Sequence, residues 1–307
     1  MTPSEDQKTE DVLVTGATGL IGRRLVPELE RRFAAVRVLS RSPAPEKPNQ
    51  KRFVWDGVDP GREPLVGSAA VIHLAGEPVF GGLPTAARLE RIRRSRIDST
   101  RALVERIASL DETRRPRTLV CASAVGFFGD RGEEVLDEAS QPGSGFLAEV
   151  CRDWEAEAER ARAVAVRVVR LRIGVVLSRD GGALSLMRVP FSLGIGGRLG
   201  DGRQFFPWIH LDDLVGVILW ALESPAEGAI NAVAPESIRN AELTRALGRV
   251  LHRPALLPVP GFVLRLALGD LAGELLGSRR VCPARLQQAG FAFRHPMLES
   301  ALEAELG

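Results

Sequence analysis

The chain has 307 residues, 45% of them hydrophobic and 26% charged, with a formal net charge of +2; this suits a globular protein with a sizeable core and supplies no electrostatic reason to expect nucleic acid or an anionic membrane as a partner. Cys121, Cys151, Cys282 and the histidines are too scattered for a disulfide framework or a metal site, so no metal is expected and a reducing cytoplasm is. Tyrosine is absent, and Lys8, Lys47 and Lys51 are the only lysines among 41 basic residues, which excludes any mechanism that needs a Tyr–Lys acid pair.

Residues 1–10 are polar and charged and carry no apolar stretch of the kind a secretory signal has. Val12–Thr15 is a short apolar run and reads as a buried parallel strand. It leads into Gly16-Ala17-Thr18-Gly19-Leu20-Ile21-Gly22, and the amphipathic run Arg23–Arg32 follows. In that context the three glycines predict a tight turn opening a helix. Gly16 permits the turn, Gly19 permits a pyrophosphate to approach the backbone, and Gly22 lets the helix lie on the sheet. The first helical amides then face the phosphates, so Thr18, Leu20 and Ile21 join the glycines as expected cofactor contacts.

Further strands are expected near Val36–Ser40, Arg52–Trp55, Ala70–Ala75, Thr118–Ser123 and Val164–Arg172, with helices near Gly19–Arg32, Thr85–Leu110 and Phe146–Ala163. This alternation predicts an α/β fold with a doubly wound parallel sheet and ligands at the carboxyl ends of its strands. The arginines of Arg88–Arg106 read mostly as a solvated helix face, because apolar residues recur among them at helical spacing. Glycine clusters at 181–182, 194–197 and 200–202 read as loops. A short strand at Trp208–Leu211, a helix at Asp213–Glu223 and a strand at Ala229–Val233, returning to the main sheet, follow. From Asn240 the chain reads as helices. Its apolar stretch Ala255–Leu276 is broken by Arg265, Asp270 and Glu274 and cannot span a bilayer. The expected organisation is a dinucleotide-binding domain over 11–180, completed by 207–235, and a smaller, mostly helical lobe from 181–206 and 236–307.

The second long strand ends in Ser40-Arg41 where an NAD-specific fold places a carboxylate for the ribose hydroxyl. A guanidinium suits a 2′-phosphate, so NADP(H) is the expected cofactor. Small residues after Ile72-His73, namely Leu74, Ala75 and Gly76, let backbone pass beside the ribose and pyrophosphate, whereas His73 itself reads as a packed core histidine. Asp56 reads as a turn former.

These residues resemble the extended short-chain dehydrogenase/reductase superfamily. The similarity is greater to an atypical branch, the NAD-dependent epimerase/dehydratase-like "epimerase family" proteins with a C-terminal domain of unknown function. It is carried by Val12–Gly22, His73–Pro78, Ser95-Arg96, Ser123–Gly129, Phe146–Glu155, Arg172–Leu177, Phe191–Asp213, Asn231–Glu236, Leu247–Pro260 and Gln287–Pro296, and covers residues 11–306. The resemblance implies NADP binding by Ser40, Arg41, Leu74 and Ala75, with Arg96 reaching the cofactor and Val176 near the nicotinamide. It also implies a catalytic tyrosine and lysine, which this chain replaces. One register sets Leu147 and Cys151 at those positions, the other Phe146 and Val150, and neither can transfer a proton by the usual route. Ser123 remains as a substrate-orienting candidate, and Glu77 and His210 as candidate acid–base groups. Two functions stay open: an NADP(H)-dependent oxidoreductase acting on a small carbonyl or hydroxyl compound, as a monomer or homodimer, and an NADP(H)-binding protein without turnover.

Overall fold

A computed structural model describes residues 9–43, 45, 47–80 and 82–307. Most of the polar N-terminal segment therefore lies outside the described residues. The frame is a seven-stranded sheet in the order β10-β7-β5-β4-β1-β2-β3, with every pair parallel. Its strands are β1 (Asp11–Thr15), β2 (Ala35–Ser40), β3 (Gln50–Val54), β4 (Ser68–His73), β5 (Thr118–Ala124), β7 (Arg167–Ile173) and β10 (Gly228–Ala232). The chain leaves β1 toward β2 and β3, then returns to build outward from β4. The direction reverses between β1 and β4, the switch point at whose carboxyl ends folds of this kind bind their ligands.

Alternating side chains of the sheet feed two cores. Val12, Val14 and Ile72 face α1 (Leu20–Glu30) and α5 (Leu211–Glu223), packing with Leu25, Leu29 and Ile218. Leu13 and Val71 face α2 (Ala86–Ala108) and α3 (Phe146–Glu159), packing with Ile97, Leu103 and Trp154. Both faces of each central strand are thus buried, which is why these strands are continuously apolar. Each fully buried Leu or Ile contributes about 1.5–3 kcal/mol.

The remaining elements form a lobe beside the carboxyl edge: β8 (Val175–Leu177) paired with β9 (Trp208–His210), α4 (Gly182–Ser192), α6 (Asn240–Val250), α7 (Gly261–Leu268), α8 (Ala272–Leu276), α9 (Ala284–Gln288) and α10 (Leu298–Leu306). Leu184, Phe191, Trp208, Leu243, Leu247 and Leu302 make its core. Among the described residues no helix is long and apolar enough to cross a membrane.

Three details differ from the sequence reading. The glycine pair expected to be a loop instead opens α4: Gly182 adopts φ +69°, and Leu184 and Phe191 then bury their side chains. Residues 160–164 form a tight 3-10 turn that ends at Ala165 with φ +62°, so β7 begins only at Arg167. A two-residue strand, β6 (Val135–Leu136), pairs with β11 (Arg280–Val281) and ties the loop after β5 to the C-terminal region. Such short pairings at long range leave no periodic signal in sequence.

Candidate functional site

The glycine loop forms a tight cradle. Gly16 has φ +73°, and a Cβ there would stand 2.8 Å from the Leu74 carbonyl and 2.9 Å from the Ala75 nitrogen. A Cβ on Gly22 would stand 2.3 Å from the Gly16 oxygen. Side chains at either position would push the loop off the sheet and off the helix. The Gly19 amide closes the turn onto the Gly16 oxygen at 3.0 Å, and Gly19 caps α1 without a side chain. The first amides of α1, at Leu20 and Ile21, therefore point out of the turn with no side-chain partner, as an anion site requires. Leu20 also packs beneath Gly181 and Gly182, so the entry to α4 stands over the helix start. Val176 lies in β8 opposite Ile209, with its carbonyl 3.5 Å from where a Cβ on Gly182 would stand.

The floor beside the cradle is fixed by Thr15. Its hydroxyl accepts from the Leu74 and Ala75 amides, each at 3.2 Å, and lies 2.7 Å from His73 Nδ1. With both amides donating to it, the hydroxyl donates to Nδ1, and His73 Nε2 donates to Thr100 at 3.0 Å. Burial pushes His73 down to about 4, so it is a neutral internal bolt at physiological pH. At the edge, Ser40 donates to the Ser42 carbonyl at 2.8 Å. Arg41 is exposed and makes no hydrogen bond or ion pair with the described residues. The Asp56 carboxylate accepts from the Val58 amide at 2.9 Å, a local turn.

Two arginines of α2 are not on a solvated face. Arg88 is buried and donates to the Pro78 and Phe80 carbonyls. Arg96 donates to the Glu77 and Ile92 carbonyls at 2.9 and 3.1 Å. Its guanidinium lies against Gly76 and 5.4 Å from the Trp154 ring centroid. The physical reason is the glycine-rich loop after β4, whose carbonyls have no ladder partner and recruit the nearest guanidinium groups.

The three candidate catalytic side chains are not brought together. Ser123 is 3% exposed and donates to Glu155 at 2.8 Å. Glu155 also accepts from Arg172 through both oxygens, at 2.9 and 3.1 Å, and from Arg170 at 2.9 Å. Arg172 in turn lies 3.5 Å over the Phe127 ring. The Glu77 amide donates to the Ser95 hydroxyl at 3.0 Å, and the Glu77 carboxylate lies 3.9 Å from Arg88. His210 caps α5, its Nδ1 accepting from the Asp212 amide at 3.1 Å, while Nε2 lies 3.0 Å from Glu305. Its ring stacks at 3.8 Å on His295. Burial, and then the neighbouring His295, push His210 below its ordinary value. The distant histidines thus converge, and with Asp212 their ligand-capable atoms lie within 4.8 Å of one another. Asp212 is already held by Arg24 at 2.7 Å.

Residues 12–234 match the NAD dependent epimerase/dehydratase family. The chain belongs to that family. Residues 259–305 match a domain of unknown function. The epimerase family protein SDR39U1 homolog, chloroplastic, of Arabidopsis thaliana is 42% identical, over 98% of this chain and 88% of its own. Mouse SDR39U1 is 38% identical over 95% and 98%. Among solved structures, human SDR39U1 (isoform 2), crystallised with NADPH, superimposes with a TM-score of 0.86 at 33% identity, covering 96% of this chain and 99% of that one. A nucleoside-diphosphate sugar epimerase from Corynebacterium glutamicum gives a TM-score of 0.79 at 37% identity, covering 98% and 59%.

Within this epimerase/dehydratase family member, Leu147 and Cys151 lie buried on α3. Burial, then the Glu155 charge, push the Cys151 thiol up to about 12, so it stays protonated at neutral pH. A carboxyl that the sequence reading treats only as a break in an apolar stretch, Glu274 of α8, reaches the same place: its Oε2 would lie 3.6 Å from a Cβ on Gly126. No local motif marks it, because its neighbours there come from the turn after β5 and from α3, far earlier in the chain.

Proposed function

We propose that the protein is an NADP(H)-dependent oxidoreductase acting on a small carbonyl or hydroxyl compound. The observation that carries the reading is the cradle: Gly16 and Gly22 are held where any Cβ would overlap backbone, and an exposed arginine follows β2 where an NAD-specific site needs a carboxylate. The NADPH in the human relative's crystal supports it.

In this reading the Leu20 and Ile21 amides and the start of α1 hold the pyrophosphate, with Gly19 and Thr18 in the turn. Arg41, beside Ser40, takes the 2′-phosphate through charge-assisted hydrogen bonds. The backbone from Leu74 to Gly76 lines the ribose, Arg96 closes that side, and Val176 stands at the nicotinamide end. The bound cofactor supplies or accepts hydride; the protein orients it and excludes water. Ser123 is committed to Glu155 and acts as a positioning residue for the β5 end. His210 braces the lobe through α5 and α10.

The buried, protonated Cys151 and the proton-less Leu147 favour a second reading, an NADP(H)-binding protein without turnover, in which occupancy of the cradle changes contacts between lobe and sheet. NADPH oxidation monitored against a panel of aldehydes, ketones and quinones decides between the two. Carbonyl-dependent oxidation above the no-substrate rate supports the oxidoreductase; NADPH binding with no oxidation across the panel supports the second reading.

A further inference from the structure

In the register that sets Leu147 at the superfamily's tyrosine, a carboxyl from the C-terminal region lies beside that position. Glu274 projects from α8 toward the turn after β5 and the start of α3. Leu147 Cβ and Glu274 Oε2 would stand 3.2 and 3.6 Å from a Cβ on Gly126, so the carboxyl, the Gly126 backbone and Leu147 meet at one point. Its charge is also felt by Cys151, one turn further along α3, together with those of Glu155 and Arg96. The carboxyl thus stands beside the position that one register aligns with the tyrosine, and its charge reaches the one aligned with the lysine.

We propose that Glu274 is the group that exchanges the substrate's proton at this site; the inference rests on the nicotinamide reading above. Arg279 fixes the carboxyl from one side only, with NH2 2.8 Å from Oε2 and NH1 3.2 Å from the Glu274 carbonyl. Oε1 makes no hydrogen bond with the described residues. A purely structural pair favours the bidentate fork; here one oxygen is anchored and the other left open. The side chains of Glu274 and Arg279 are 15% and 6% exposed, and burial raises the carboxyl above its usual range although Arg279 opposes this. Such a group holds a proton more readily than a surface carboxylate does.

The step balances as follows. Hydride from the reduced nicotinamide adds to the substrate's carbonyl carbon, the C=O π pair moves to oxygen, and that oxygen takes the proton from Glu274. The products are the alcohol, the oxidised cofactor and a carboxylate facing Arg279, which a solvent proton resets. The reverse reaction uses the carboxylate as base.

The test uses the full chain and Glu274→Gln, which keeps the side-chain shape and an oxygen for Arg279. NADPH affinity is measured by calorimetry, the carboxyl vibration by infrared difference spectroscopy on adding NADPH, and turnover by NADPH oxidation with the carbonyl panel. The expected result is NADPH affinity within about twofold of the unsubstituted protein, an NADPH-induced carboxyl band that E274Q lacks, and a fall of about 100-fold or more in any panel turnover. The infrared readout does not depend on turnover or on the variant's stability, because Glu274→Asp provides a second variant in which the band shifts. A band set identical in the unsubstituted protein and E274Q overturns the proposal, as does full turnover in E274Q. No NADPH binding by the unsubstituted protein overturns the nicotinamide reading itself, and the proposal with it.

Discussion

Glu155 is the most heavily committed carboxylate described in the protein, and removing it should cost more than removing the hydroxyl it serves. In Glu155→Ala, Arg172 stays 4% exposed and loses both of its carboxylate bonds, keeping the Glu138 carbonyl at 3.2 Å and the Phe127 face. Arg170, more exposed, can turn to Glu159, which already lies 3.1 Å away. Breaking a buried pair from one side costs about 3–5 kcal/mol. At about 2.1 cal/mol/K of unfolding entropy per residue, a chain of 307 residues loses about 5–8 °C in melting temperature. Ser123→Ala removes one donor and leaves Arg172 in place, for about 1.5–3 kcal/mol. Replacing Glu155 and Arg172 together by leucine recovers part of the loss, since the charge left uncompensated is gone. Thermal melts by circular dichroism, with the two single substitutions and the double, measure all three. A Glu155→Ala melt within 1 °C of the unsubstituted protein would refute the reasoning, and so would a double substitution that melts no higher than Glu155→Ala.

Other consequences can be checked in the same preparations. Gly22→Ala forces a Cβ to within 2.3 Å of a backbone oxygen, so NADPH affinity should fall at least tenfold, with about 1–3 kcal/mol lost in stability; calorimetry and melts read both. His73 has a folded value of about 4 against 6.5, so the unfolded chain binds a proton that the folded chain refuses. Its contribution is complete above about pH 6.5 and is lost as pH falls toward 4, by about 3 kcal/mol. Denaturant titrations from pH 7 to 4 should show that loss, and His73→Gln should remove its slope. Cys151, held at about 12, should resist alkylation at pH 7.5 until the protein unfolds; rapid labelling in the folded state, mapped by mass spectrometry, contradicts its burial.

Much of the sheet is readable because parallel strands buried on both faces must be apolar throughout, as Val12–Val14 and Val71–Ile72 are. The cradle is readable for a similar reason: only glycine tolerates the backbone contacts at positions 16 and 22. The engagement of Ser123 is not, since its partner Glu155 lies on α3 and their pairing depends on how that helix docks. The same holds for Arg88 and Arg96. Helical spacing places them on one helix, but only the unladdered carbonyls of the 76–80 segment decide that they turn inward. The His210–His295 stack and the reach of Glu274 both need the C-terminal segment to fold back over α5 and α3, and no period or spacing encodes that return.

Isothermal titration of NADPH and NADH into the unsubstituted protein and Arg41→Ala tests the central claim most directly. The account predicts tighter binding of NADPH by the unsubstituted protein and a much smaller preference in the variant. Equal affinities for the two coenzymes, or no heat with either at millimolar concentration, contradict it.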